Sequence, residues 1–233
     1  TFESSAGFGD ATFAGEGNFS HATFTHNADF GGASFLQNAH FDGVKFMQNA
    51  HFSGVEFAQE ANFTGAAFIQ NASFGGANFA QNADFGGASF VQSAHFDGVK
   101  FMQNAHFGGV KFTQDTNFSG AGFIQNASFG GVNFAGNADF IGVVFAQNAH
   151  FIGAAFGQIA DFSGATFDQG ADFSEATFEA DAEFYGASFM GVANFCDVSF
   201  VKSPPLFAAE DADSGEMCRA RFATPSTGQE AYN

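Results

Sequence analysis

Ala39-His-Phe-Asp-Gly-Val-Lys-Phe-Met-Gln-Asn49 decides the fold of this chain, and it recurs unchanged at Ala94–Asn104. Its two aromatic residues, Phe41 and Phe46, belong to a longer series. Phe returns at alternating steps of five and six residues, without a slip, from Phe2 to Phe200. Of the 39 phenylalanines only Phe207 and Phe222 stand outside that series. An α-helix of about 3.6 residues per turn cannot keep such a register, and neither can an isolated strand of period two. A chain that winds a fixed number of residues per coil does keep it, so the sequence specifies a solenoid. Eighteen units of eleven, reading Ala-x-Phe-x-Gly-Ala/Val-x-Phe-x-Gln-Asn, run from Ala6 to Ser203. Residues 28–82 realign with 83–137, the mark of tandem duplication, which lengthens a solenoid without designing a catalytic site.

The period leaves two coil lengths open. Eleven residues at about 3.3 Å each close a loop of roughly 36 Å. Flattened, that loop has to hold two Phe and two small residues between sheets about 10 Å apart, which leaves almost no room at the corners. A coil of twenty-two residues gives four sides, and it also keeps Lys100 from stacking on Lys111. Nine such coils at about 4.8 Å each make a rod roughly 43 Å long. The expected core ladder includes Phe41, Phe46, Phe52, Phe57, Phe96, Phe101, Phe107 and Phe112, with Ala or Val two residues before each ring. Gly43, Gly54, Gly65 and Gly76 fall at expected corners, where a Cβ would resist the turn. Asn38, Asn49, Asn71, Asn82, Asn104 and Asn126 end the longer sides; they are expected to form an asparagine ladder and to take left-handed corner conformations.

Repetition ends after Phe200, and Pro204-Pro205 stops strand pairing. The chain thus divides into a β-helix over 1–203 and an acidic, non-periodic tail or cap over 204–233. Cys196 in the last unit and Cys218 in the tail are placed for a disulfide; two free buried thiols are the other reading. In-register Phe2 follows Thr1 directly, so the first coil is expected to be bare, and a bare coil invites head-to-tail stacking. Phe2, Phe207, Arg219, Arg221 and Phe222 are the expected subunit contacts, the two arginines meeting an acidic side of the next copy. With the absence of an initiating Met, these features favour a structural filament or surface-layer subunit outside the cell.

The formal net charge of −18, with only 13% charged residues, disfavours nucleic acid and anionic membranes as direct partners. It suits cations, basic proteins, or a protein that ordinarily grips DNA. No stretch approaches the roughly 18 consecutive apolar residues of a membrane span. His40, His51, His95, His106 and His150 each precede a Phe at an outward position; on a twenty-two-residue coil His51 neighbours Asp29 and Ser73, and His106 neighbours Asp84 and Ser128. Such isolated neighbours are solvated surface rather than a metal centre. Asp211-Ala-Asp213-Ser-Gly215-Glu216 resembles a fragment of a calcium loop but lacks the further acids of a complete one. No nucleophile elbow, zinc-helix or phosphate-loop motif occurs, so neither an enzyme nor a cofactor is expected.

Ala28-Asp-Phe-Gly-Gly32, Ala61-Asn-Phe-Thr-Gly65 and Ala160-Asp-Phe-Ser-Gly164 resemble the unit of the pentapeptide repeat family, with a sixth residue added in every second unit, as in Ala33-Ser-Phe-Leu-Gln-Asn38. The resemblance implies an all-β, right-handed, four-sided parallel β-helix. It also implies a second functional reading. Some members are acidic rods that imitate B-form DNA and bind type II topoisomerases such as gyrase, conferring quinolone resistance, and a chain of that kind would work in the cytoplasm. Two features depart from those members: the tail has no strong amphipathic helix, and the acids cluster late, from Asp161 through Asp168, Asp172, Glu175, Glu179, Asp181 and Glu183.

Overall fold

Ala28-Asp-Phe-Gly-Gly32 forms one side of a coil and shows how the chain turns. Ala28 and Phe30 point inward, Asp29 points outward, and the Ala33 N–H donates to the Phe30 carbonyl at 2.9 Å across the corner. Gly32, the third residue of that turn, has φ of +67°, the left-handed region that a type II turn requires there. The computed structural model describes residues 1–207, 215–216 and 221–222. Within them the chain winds as a parallel solenoid whose neighbouring strands are twenty-two residues apart, as in Ala28↔Ala50 and Phe57↔Phe79. An eleven-residue coil is thereby excluded.

Each full coil contributes one strand, of two residues or, at Ala182–Phe184, of three, to each of four sheets. The first face runs from Ala6–Gly7 to Leu206–Phe207, the second from Thr12–Phe13 to Ser188–Phe189, the third from Gly17–Asn18 to Gly215–Glu216 and the fourth from Thr23–Phe24 to Arg221–Phe222. Backbone hydrogen bonds run along the axis: Phe30 donates to His51 at 2.7 Å, and Ser34 donates to Ala11 at 2.8 Å. The pairing extends past residue 203. Leu206, Gly215 and Arg221 pair with Glu183, Ala193 and Ser199 on the last full coil. Pro204-Pro205 lies just before the one place among the described residues where the offset becomes twenty-three, between Glu183 and Leu206. Proline cannot donate to a ladder, so that corner takes an extra residue before pairing resumes.

The interior is a close-packed array of rings. Phe41, Phe46, Phe52, Phe57, Phe96, Phe101, Phe107 and Phe112 are all buried. Within a column they stack in parallel, Phe41 on Phe63 with centroids 4.8 Å apart and Phe101 on Phe123 at 4.8 Å, so ring thickness and coil rise match. Between the first and third faces the rings meet edge to face, as Phe41 and Phe52 do at 5.3 Å and 89°. The small residue before each ring is a steric requirement. At Gly17, where other coils have Ala, an added Cβ would lie 2.6 Å from the Phe35 ring, so the ring there occupies space that an Ala column elsewhere keeps free.

Among the described residues, those in the left-handed region fall at two corners, after the first and third faces. Fourteen are glycines and the others are Asp10, His21, Glu175 and Asp197. None is asparagine, which corrects the expectation for the Asn positions: they sit at the other two corners, where the sixth residue lengthens the turn and removes the need for a positive φ. A non-glycine residue in the left-handed region costs about 1–2 kcal/mol, partly offset by the extra chain entropy that Gly loses on folding. Glu175→Gly is therefore expected to stabilise the rod by about 0.5–1 kcal/mol. A thermal denaturation series on the two proteins checks the sign.

Candidate functional site on the rod surface

With the interior filled by apolar rings, any function resides on the four outer faces or at the ends of the rod. Every second residue of a strand points outward, and residues twenty-two apart stand above one another, so the surface is a set of columns. The outward column of the first face reads Gly7, Asp29, His51, Ser73, His95, Asn117, Asp139, Asp161 and Glu183. On the third face it reads Asn18, His40, Asn62, Asp84, His106, Ser128, His150, Asp172 and Asn194.

Asp and Asn in these two columns have a structural task that sequence reasoning missed. Each turns its Oδ1 back onto the N–H two residues on, which the axial ladder leaves unpaired. Asp29 accepts from Gly31 at 2.9 Å, Asp84 from Gly86 at 2.7 Å, Asp161 from Ser163 at 2.8 Å and Asp172 from Ser174 at 2.9 Å. These are Asx turns. The available signal was the recurrence of Asp or Asn before Phe, as in Ala28-Asp-Phe and Ala61-Asn-Phe.

Asp29 also approaches His51 Nδ1, at 3.2 Å on the neighbouring coil. Its carboxyl is held below the usual carboxylate range chiefly by the Gly31 N–H, with burial opposing the shift and His51 adding to it. A depressed folded-state pKa gives stability that is present above the ordinary aspartate pKa and lost as pH falls through the folded value. Asp29→Asn removes this carboxylate while keeping an Oδ1 acceptor for the Gly31 N–H. It should diminish the acid-induced loss below about pH 4, read from melting midpoints across pH 2.5–7.

The histidines stay apart. His106 is flanked by Asp84 and Ser128, and His150 by Ser128 and Asp172, with the Nδ1 of His150 buried and without a hydrogen-bond partner. Among the described residues no group of three or more His, Cys, Asp or Glu is placed to hold a metal ion. Asp211 and Asp213 of the calcium-loop-like fragment lie outside the described residues. So do Cys218 and Arg219. Cys196 is disulfide-bonded. For Phe207 and for Arg221 and Phe222 the described feature is the backbone pairing given above. Phe2 bridges to Phe24 and its ring stacks on Phe24 at 4.4 Å.

The six asparagines separate onto two corners. Asn82, Asn104 and Asn126 come together after the second face in a hydrogen-bonded chain that starts at Glu60 and continues to Asn148 and the Gly170 N–H, with steps of 3.2–3.4 Å. Asn38 stands in the same column one coil below Glu60, while Asn49 and Asn71 occupy the corner after the fourth face. The amides therefore brace one edge of the rod rather than form a single ladder.

The carboxylates carry the most distinctive surface property. Asp139, Asp161 and Glu183 stand in register on three successive coils, about 4.8 Å apart. Asp168, Asp172, Glu175, Glu179, Asp181 and Asp197 surround them on other sides of the same end. Against these nine acids residues 138–203 contain one basic residue, Lys202, which pairs with Asp181 and, together with Ser203, holds that carboxyl below its usual range. Residues 1–203 hold nineteen carboxylates and four lysines, a net of −15. Over a rod of roughly 43 Å that is about one charge per 2.9 Å, against about one per 1.7 Å for duplex DNA. No helix among the described residues is long and apolar enough to cross a membrane.

A family model described as pentapeptide repeats (9 copies) matches residues 41–89, 96–144, 140–188 and 162–208. No curated protein matches the chain. Among solved structures, the chain is similar to trypsin-treated QnrB1, a plasmid-mediated fluoroquinolone resistance protein, at 19% identity. The match covers 94% of this chain and 91% of that one, with a TM-score of 0.28.

Proposed function

The chain belongs to the pentapeptide repeat family, and from that premise we propose that it is a non-catalytic acidic rod that occupies the duplex-binding surface of a DNA-handling protein, of the type II topoisomerase class. The observation that carries this reading is the charge pattern: nine carboxylates against one lysine over the last three coils, three of the acids in an axial row. A protein that grips duplex DNA presents a basic groove shaped to a stiff polyanion, and its affinity comes largely from releasing counterions. A rod with more than half the linear charge density of DNA, and a core too closely packed to bend, competes for such a groove by the same physics. It needs no pocket and no reactive group. Neither the family match nor the charge pattern supports the head-to-tail filament or the extracellular setting expected from the sequence, although the disulfide-bonded Cys196 favours an oxidising compartment.

The test is gyrase supercoiling of relaxed plasmid at increasing concentrations of the rod. Inhibition that is relieved by added duplex supports the proposal; supercoiling unaffected by a large excess of the rod at 50 mM salt overturns it. A topoisomerase works in the reducing cytoplasm, where disulfides are rare, so inhibition should be the same with and without dithiothreitol. Inhibition only by oxidised protein would instead point to a partner in an oxidising compartment.

A further inference from the structure

The four sheets do not end alike. At the C-terminal end the first, third and fourth faces each gain a tenth strand, at Leu206–Phe207, Gly215–Glu216 and Arg221–Phe222. The second face stops at its ninth, Ser188–Phe189, which pairs downward with Thr166–Phe167 and with no described strand above. One coil lower the Ala165 carbonyl accepts from the Ser188 N–H, and the Phe167 carbonyl accepts from the Met190 N–H, both at 2.8 Å. The equivalent carbonyls of Ala187 and Phe189 have no such partner among the described residues.

The side chains show the same vacancy. Phe189 stacks on Phe167 below at 4.7 Å, yet it is only half-buried, while Phe184, Phe195 and Phe200 of the same coil are buried. Met190 is 71% exposed and Val192 66%, the two most exposed large apolar side chains among the described residues. The chain's own sequence at this point, Ala208-Ala-Glu-Asp-Ala-Asp-Ser214, contains no aromatic or large aliphatic residue to extend the ring column.

We propose that the edge Ala187–Met190 is a docking site for an extended peptide of a partner protein, which adds as the tenth strand of the second face. An unpaired strand edge is a template for such addition, with main-chain hydrogen bonds supplying affinity and alternate side chains specificity. The required sequence follows from the strands already on this face, Val99-Lys-Phe101 and Ala165-Thr-Phe167. A small apolar residue comes first, then any outward residue, then an aromatic ring to sit on Phe189. The outward residue donates its N–H to the Ala187 carbonyl, and the residue after the ring donates to the Phe189 carbonyl. The ring of acids at this end, with Asp168 directly beneath Met190 in its column, selects basic flanking residues by charge complementarity. The site is independent of the topoisomerase reading, because it rests on backbone pairing at the rod's end rather than on charge along its faces.

Fluorescein-labelled Lys-Val-Lys-Phe-Thr-Lys titrated with the full chain at 50 mM salt tests it. Binding is expected to weaken about tenfold or more when the amide of the lysine before Phe is N-methylated, a change that removes one donor and leaves the charge. Replacing the peptide's Phe by Ala should weaken it comparably, and amide exchange should slow at Phe189 on addition of the peptide. Absence of binding would overturn the site. So would equal binding of the N-methylated or scrambled peptide, since attraction would then be only electrostatic. Protection of the Phe189 amide in the free protein would show the edge already covered by the chain itself, and a dimer in sedimentation that excludes the peptide would show it covered by a second copy; either result overturns the proposal.

Discussion

Replacing Phe101 by alanine is expected to cost about 3–5 kcal/mol of stability. The ring is fully buried, stacked between Phe79 at 5.0 Å and Phe123 at 4.8 Å and met edge-on by Phe107 at 5.7 Å. Truncation removes the transfer energy of the ring and leaves a cavity whose walls are other rings held by the backbone ladder. They cannot collapse into the space without breaking the axial hydrogen bonds that set the coil rise. Aromatic pairs contribute about 0.5–1.5 kcal/mol each beyond their buried area, so three lost partners place the effect at the upper end of the range. Because a solenoid's stability is close to a sum over neighbouring coils, the loss should be local. Native-state hydrogen exchange should accelerate most in coils containing Phe79, Phe101 and Phe123 and least at Phe24 and Phe178. A uniform loss along the rod, or none, would contradict the inward assignment.

The second large effect concerns the acidic row. The combined variant Asp139→Asn, Asp161→Asn and Glu183→Gln is expected to weaken competition for a type II topoisomerase by about tenfold to a hundredfold at low salt, as loss of three steering charges does at other charged interfaces. The same variant should be slightly more stable than the parent at low salt. Like charges directly opposite one another across neighbouring strands destabilise a sheet, and the Asx bonds from positions 139 and 161 survive in Asn. Weaker competition with equal or greater stability separates a role in binding from a role in folding. Unchanged competition would move the binding surface away from this row.

Much of the fold is legible in the residues because one residue type reports both position and direction. Phe at steps of five and six gives the period, and ring volume favours the longer coil, which the strand register then settles. Corner chemistry was half legible. The glycines after Phe30, Phe41 and Phe52 mark left-handed turns, whereas Asn38, Asn49 and Asn71 suggest the same conformation and do not adopt it, because a six-residue side turns without a positive φ. The axial bonding of Asn82, Asn104 and Asn126 needs the twenty-two-residue register before it can be separated from the opposite corner. The surface row was the least legible. Asp139, Asp161 and Glu183 are far apart in sequence and unremarkable singly, and Asp161 and Glu183 read as part of a general late acidity until the coil length places all three in one column. Nor does any residue pattern announce that, among the described residues, only the second face lacks a tenth strand.

The most direct measurement is displacement of labelled duplex from gyrase by the rod, followed at salt concentrations from 50 to 300 mM. Mutually exclusive binding is predicted, with the rod's affinity falling steeply as salt rises, as that of a polyanion does. A ternary complex of gyrase, duplex and rod, or an affinity indifferent to salt, would contradict it.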